Sequence, residues 1–529
     1  MVLPLLTLVW LALFGRGEGW ATLASVRPGA AALQTAIMLA GVGLVTGAVG
    51  TLAAWLVTFH DFPLRRTLAW ALVLPLAVPT YLAAYAQAEF WSYTGPVQEA
   101  VRALGGFASP RDYPFPSIRS MGGLVLVLSS VLYPYVYLSV RAMLAAQGPR
   151  MSEACRTLGA APGRAARRVV LPLARPAIAI GILLALMEAL NDIGAVEHLG
   201  VRTLTRSVFA LWINRSDLAA AAQLALVLLA VVLVLVVAER AARGAAGYSA
   251  RGGEGRPLPP ARLRGWRAAL AVTACTLPVL AGFGVPLAVF IESAAPRLDR
   301  LAEPRMVEAA LTSLAIGAAT ATATALLALL ALVLARAEPR RRAASILLRL
   351  TTLGYAVPGT VVGLGLFLSL AALDNALDGA ARSVFGVSTG LLLSGSALIV
   401  VHAHMVRFMT MAEGTLGAGL SRLSPHLEPA ARTLGRSEGA ALRTVTLPLL
   451  TPAILTAMLL VFIESVKELS ATLLVRPFGV ETLSIAAYEL ATQGRPEAAA
   501  VPALVIVALG FLPVVLVSRA TLPEARSRG

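Results

Sequence analysis

The chain has 529 residues, of which 58% are hydrophobic and only 14% charged, and it carries a net charge of +16. A soluble globular protein is roughly a quarter charged, so this composition argues against an ordinary soluble enzyme. The basicity does not mark a nucleic-acid surface either, because the arginines alternate between loops instead of gathering on one face.

The N-terminal "MVLPLLTLVWLALFG" lacks a basic leader and a small-residue cleavage site, so it reads as a first transmembrane helix. Apolar runs long enough for a crossing of about 20 residues follow at Ala31–Phe59, Thr67–Phe90, Ala219–Ala238, Val307–Ala335 and Ala498–Val517. The first six spans are expected to start near Leu3, Ala31, Thr67, Met121, Leu171 and Ala219. The second six start near Ala268, Val307, Leu348, Thr389, Leu447 and Ala498. This predicts an all-α polytopic membrane protein of about twelve helices in two six-helix parts.

Arginine-rich stretches recur at Arg65–Arg66, Arg141 to Arg175, Arg240 to Arg267, Arg336 to Arg349, Arg407 to Arg443 and Arg519–Arg528. Between them lie loops that mix acids with fewer arginines: Glu197–Asp217, Arg297–Glu303 and Asp374–Arg382. The positive-inside pattern then puts the basic loops and both termini in the cytoplasm. The segment "RGAAGYSARGGEGRPLPPARLRGWR" is rich in Gly, Pro and Arg and reads as a linker. The expected divisions are a first half over 1–240, a basic cytoplasmic linker over 241–266 and a second half over 267–529.

An internal repeat ties the halves together. "EACRTLGAAPGRAARRVVLPLARPAI" (Glu153–Ile178) recurs as "PAARTLGRSEGAALRTVTLPLLTPAI" (Pro429–Ile454), with Gly159 on Gly435, Pro172 on Pro448 and Pro176 on Pro452, each 276 residues apart. The same offset carries Glu188 onto Glu464, Asn191 onto Lys467 and Asp192 onto Glu468. Each half has an even number of expected spans, so the repeats are parallel, with a pseudo-axis along the membrane normal and a central pathway on it. In each copy the expected local structure is a short helix, a glycine turn and a second short helix entering the membrane at Leu-Pro.

This duplicated loop resembles the EAA loop of ABC-importer permeases. Both copies vary the pattern: the first reads Ser152-Glu153-Ala154-Cys155 and the second Glu428-Pro429-Ala430-Ala431, with the acid one place earlier. The resemblance implies the type I ABC importer permease fold, with two cytoplasmic ATPase subunits docking on the loops and a periplasmic binding protein delivering substrate. The implied ATPase-coupling positions are Glu153, Ala154, Arg156 and Gly159, with Glu428, Ala430, Arg432 and Gly435 in the second copy. It implies a bacterial inner-membrane subunit, with ATP held by the partner ATPases and no cofactor of its own. The chain's single lysine, Lys467, lies in "ESVKELS", away from any Gly-rich phosphate loop, so a Walker A site is not expected here.

"VLYPYVYLSVRAML", "GPVQEAVRALGGF", "EALNDIGAVEHLGVRTLT" and "VKELSATLLVRPFGVETLS" are similar to the fused permeases of ferric-iron importers. Thiamine and other small-solute permeases are the neighbouring alternative, and an ion-gradient-driven secondary transporter is the alternative of a different class. Charged side chains at membrane depth are costly and usually face a bundle interior or a water path. Glu188, Asn191, Asp192, Glu464, Lys467 and Glu468 are therefore the candidate pathway residues, and four carboxylates against one ammonium suit a hard cation. The competing reading is that these acids are solvated near the outer boundary, or hold the halves together through Lys467.

Tyr133, Tyr135 and Tyr137 read as interfacial anchors or packing. His402 and His404 do not share a helix face, and His60 and His198 stand alone near span ends, so no metal site is assigned. Cys155 and Cys275 are too far apart in sequence and setting to suggest a disulfide framework. No nucleophile–base constellation stands out, and catalytic activity in this chain is not expected.

Overall fold

A computed structural model describes residues 2–15, 27–157, 170–247, 260–337, 357–424 and 426–521. The described residues are helical almost throughout. In chain order the elements are α1 (Val2–Phe14), α2 (Pro28–Phe59), β1 (His60–Asp61), α3 (Arg65–Ala71), α4 (Thr80–Phe90), α5 (Pro96–Gly105), α6 (Met121–Thr157) and α7 (Leu171–Asn191). Then come α8 (Gly194–His198), α9 (Leu204–Phe209), α10 (Leu218–Gly247), β2 (Ala261–Arg262), α11 (Trp266–Val279), α12 (Val285–Ala294), α13 (Pro304–Ala337) and α14 (Gly359–Phe385). The last are α15 (Leu398–Ser421), α16 (Leu427–Thr433), α17 (Glu438–Ala441), α18 (Leu447–Val466), α19 (Thr472–Val475), α20 (Leu483–Thr492) and α21 (Pro496–Thr521).

By length and apolarity, eight helices among the described residues can cross a bilayer, against the twelve expected from sequence. Several expected spans take another form. The run Thr67–Phe90 is not one straight helix: Arg65–Ala77 and Thr80–Phe90 meet at a 99° bend. Pro79 falls in the break, Pro75 lies in the 3-10 turn just before it, and Val78 is extended, as the ring of the following proline requires. The span expected from Thr389 begins as helix only at Leu398 and carries His402, His404 and Arg407. The Asp374–Arg382 stretch, expected as a loop, is the end of α14. There Asp374 accepts from the backbone N–H groups of Leu393 (3.0 Å) and Ser394 (2.7 Å) and from the Ser394 hydroxyl (2.6 Å).

The residues form two compact units. One holds residues 20–216, 227–300 and 487–529. Its core gathers Val57, Leu72, Tyr133, Tyr137, Val140 and Cys275. α2, α6 and α7 pack closely there because glycines let backbones meet: a Cβ on Gly181 would lie 2.5 Å from the Cα of Val136. Tyr133 and Tyr137 are fully buried, and the Tyr137 hydroxyl donates to the Ala69 carbonyl at 2.7 Å, so these tyrosines are packing residues. β1 and β2 form a two-residue parallel pair in the same unit.

The other unit holds residues 1–19, 217–226 and 301–486. α1 packs on α14, where a Cβ on Gly365 would stand 2.7 Å from the Pro4 carbonyl oxygen. α13, α15 and α18 pack around Phe408, Met409, Ala412, Leu416, Leu450, Ala457 and Val461.

Candidate functional site

The second copy of the repeated loop has the expected local form. α16 ends in a Schellman turn: Gly435 N–H donates to the Arg432 carbonyl (3.0 Å) and Arg436 N–H to that of Ala431 (3.1 Å). Gly435 sits at φ +84°, the left-handed region that favours glycine. Ser437 then caps α17 by accepting from Ala440 N–H at 3.3 Å. A π-turn over Leu442–Thr446 leads into α18, with Pro448 in its first turn. Glu428 accepts from the Thr446 hydroxyl at 2.7 Å, which ties α16 to the foot of α18. Ala430 and Arg432 are exposed, while Ala431 is buried. In the first copy Glu153, Ala154 and Arg156 lie on the helical backbone at the end of α6, with side chains outside the described residues; Gly159 is outside them altogether.

At the far end of α18 the chain leaves the helix at Lys467 and turns through a buried polar cluster. The Glu468 carboxylate pairs with the Arg407 guanidinium of α15. It also accepts from the backbone N–H groups of Ala471 (2.9 Å) and Thr472 (3.0 Å) and from the Thr472 hydroxyl (2.8 Å). His404 bridges Ser465 Oγ through Nδ1 (2.7 Å) and Thr472 Oγ1 through Nε2 (2.8 Å). His404 Nε2 also stands 3.2 Å from the Glu468 carboxylate. Glu468, His404 and Arg407 are all buried. A Cβ on Gly359 would stand 3.0 Å from Ala471 N and 3.2 Å from an Arg407 nitrogen, so glycine there lets α14 begin against the cluster.

The first half makes a related turn after α7. Asp192, buried just past the helix end, accepts from Ala195 N–H at 2.7 Å. The Thr80 hydroxyl at the start of α4 stands beside it. Beyond these turns the halves share "GVRTLT" (Gly200–Thr205) and "GVETLS" (Gly479–Ser484), 279 residues apart. Gly200 and Gly479 both have positive φ, +73° and +82°. The following threonine, Thr203 or Thr482, caps the next helix. Leu204 N–H donates to Thr35 Oγ1 (2.9 Å) and Leu483 N–H to Ser313 Oγ (2.7 Å). The Thr205 hydroxyl reaches back to the Leu190 carbonyl, as Ser484 does to that of Glu468 (2.7 and 2.8 Å). Sequence reasoning missed this second repeat, although the doubled Gly-Val-x-Thr-Leu was its signal.

The candidate pathway residues are thus placed in different ways. Asp192 and Glu468 lie beyond the helix ends, so they do not continue the helix faces of Glu188 and Glu464 that their four-residue spacing suggested. Lys467 pairs with Glu464 at 2.7 Å across one turn. Glu188 is half-buried, and Asn191 is buried at the end of α7. Arg407 is a correction: it sits inside α15 as a counter-ion to Glu468, not in the basic loop it was grouped with. His404 belongs to the same cluster and was passed over. A lone arginine gives no sequence sign of whether it serves a loop or a carboxylate in a turn distant in sequence.

The model for the family "Binding-protein-dependent transport system inner membrane component" matches residues 46–242 and again 327–523. Over 499 residues the chain is 28% identical to the Fe(3+)-transport system permease protein FbpB 2 of Haemophilus influenzae, covering 93% of this chain and 90% of that one. It is 28% identical over 242 residues to the sulfate transport system permease protein CysT of Salmonella typhimurium, covering 45% of this chain and 84% of that one. It is 33% identical over 158 residues to a putative 2-aminoethylphosphonate transport system permease protein, PhnV, also of Salmonella typhimurium, covering 30% of this chain and 53% of that one. The duplicated match and the helical, multi-pass fold agree, and the chain belongs to the binding-protein-dependent transport system inner membrane components as an ABC-type permease with two copies of the family domain.

Proposed function

We propose that this chain is the permease of an importer for ferric iron. The observation that carries the reading is the extent of one similarity: the Fe(3+) permease matches across 93% of the chain, through both family domains. The sulfate and phosphonate permeases match 45% and 30% of it. In this reading the chain lies in the inner membrane with both termini cytoplasmic, and a periplasmic binding protein delivers the iron. Two separate ATPase subunits drive the cycle, one at each repeated loop, the second over Glu428, Ala430, Arg432 and Gly435. The exposed face of α16 supports that docking role, because a seven-residue helix has little stability of its own.

The half-buried Glu188 and the Glu464–Lys467 pair are the better candidates for contact with a passing cation. Asp192 and Glu468, turned toward backbone donors, shape the turns that follow the helices. The test is uptake by the full importer in proteoliposomes, offered ferric iron, sulfate or thiamine on its periplasmic binding protein. Iron uptake that requires ATP is the expected result. Uptake of sulfate or thiamine instead refutes the substrate, and uptake without any ATPase refutes the ABC reading.

A further inference from the structure

We infer that Arg407 and His404 are positioning residues: they clamp the Glu468 turn to α15, so that α15, α16 and α18 move as one lever between the repeated loop and the turn at 467–484. This rests on the reading of α16 as the ATPase docking helix.

Polar ties hold the lever at both ends. At the loop end, the Thr446 hydroxyl donates to Glu428. At the far end, Arg407 pairs with Glu468 while His404 joins Ser465 at the end of α18 to Thr472 in α19. The 20 residues of α18 lie between the ties, a length of about 30 Å that matches the hydrocarbon thickness. Along that length Phe408, Met409, Ala412 and Leu416 of α15 pack with Leu450, Ala457 and Val461 of α18. A Cβ on Gly419 would stand 2.5 Å from Ala453, so the two helices approach closely near the loop.

α18 alone is a soft strut. It has a proline within it, Pro452, and a π-turn at its foot, two of the recognised causes of bending. Movement at α16 would dissipate in those joints unless α18 were held to a second helix at each end. α15 supplies that helix. A buried carboxylate separated from the Arg407 guanidinium is strongly disfavoured in a low-dielectric interior, so the turn does not part readily from α15. Glu468 also carries the turn with it, through Ala471 and Thr472 N–H and through its own carbonyl, which accepts from Ser484 at the start of α20. The first half is built differently: among the described residues Asp192 makes no ion pair, and the hydroxyl beside it belongs to α4, not to α6. The second half thus has an ion pair at its turn that the described residues of the first half lack.

The test uses the full importer with its ATPase subunits and binding protein in proteoliposomes, with ferric iron as the transported probe, or sulfate if the wild type carries sulfate. The quantity read is substrate moved per ATP hydrolysed, alongside co-purification of the ATPase. Arg407→Gln is expected to lower that ratio tenfold or more while the ATPase still co-purifies and hydrolyses ATP, and Arg407→Lys to recover most of it. If Arg407→Gln does not fold, His404→Ala and Ser465→Ala, which each remove one tie, are expected to lower the ratio at least twofold. A merely structural role predicts that uptake and hydrolysis fall together with the ratio unchanged, and that result overturns the clamp. Failure of the ATPase to co-purify with the wild-type chain overturns the docking reading instead.

Discussion

Replacing Gly435 by alanine isolates the contribution of one backbone angle to ATPase docking. The residue stands at φ +84°, and a Cβ placed there meets nothing within 4 Å. Steric clash is thus absent, and the cost is purely torsional, about 1–2 kcal/mol for an L-residue in the left-handed region. That strain falls on a seven-residue helix whose C-terminal carbonyls are closed by the two Schellman bonds. A change of this size shifts a two-state population by about 5- to 30-fold. Titrating the purified ATPase subunit onto the solubilised full chain should show weakening of that order for Gly435→Ala. Gly435→Asn should weaken binding less, because asparagine tolerates the left-handed region. Gly435→Pro should weaken it most, since it also removes the N–H that donates to Arg432. Gly439→Ala, in the same loop but without a positive φ and with open space around it, should bind as the wild type does. Wild-type affinity in Gly435→Ala would refute the reasoning, as would equal weakening by Gly439→Ala.

Two glycine substitutions should move thermal stability in opposite directions. Gly181→Ala forces a Cβ to 2.5 Å from the Val136 backbone and should destabilise by about 1–3 kcal/mol. Gly414→Ala adds a Cβ where nothing lies within 4 Å and should stabilise α15 by roughly 0.5–1 kcal/mol; melting of the purified chain in lipid, with the two signs reversed, would contradict the packing described. Asp374→Ala strands the N–H groups of Leu393 and Ser394, at about 1–3 kcal/mol. Limited proteolysis between Gly386 and Ser394 should then accelerate, and an unchanged cleavage rate would show that Asp374 does not hold that loop.

Much of the architecture was legible in the residues. Low charge and long apolar runs identify a membrane protein because the bilayer imposes its requirement on every crossing separately. The loop around Gly435 was readable for a similar reason: helix formers, a glycine stop and a Leu-Pro entry act within a few residues of one another. The bend between Arg65–Ala77 and Thr80–Phe90 was harder to see. Apolar content is equally high in a straight span and a broken one, and only the prolines at 75 and 79 hinted at the difference.

The pathway acids show where local reading stops. Glu188 and Asp192 were paired by their spacing, but that spacing means one face only while the helix lasts, and α7 ends at Asn191. Arg407, inside α15, and Glu468, in the turn after α18, lie 61 residues apart, so no local pattern links them. The sequence by itself determined the solvent this protein lives in, its doubled loop and its kinship, because composition, periodicity and turn chemistry are short-range. Only the tertiary structure decided which buried charges meet, because a carboxylate in an apolar interior is stabilised by whichever cation folding brings beside it.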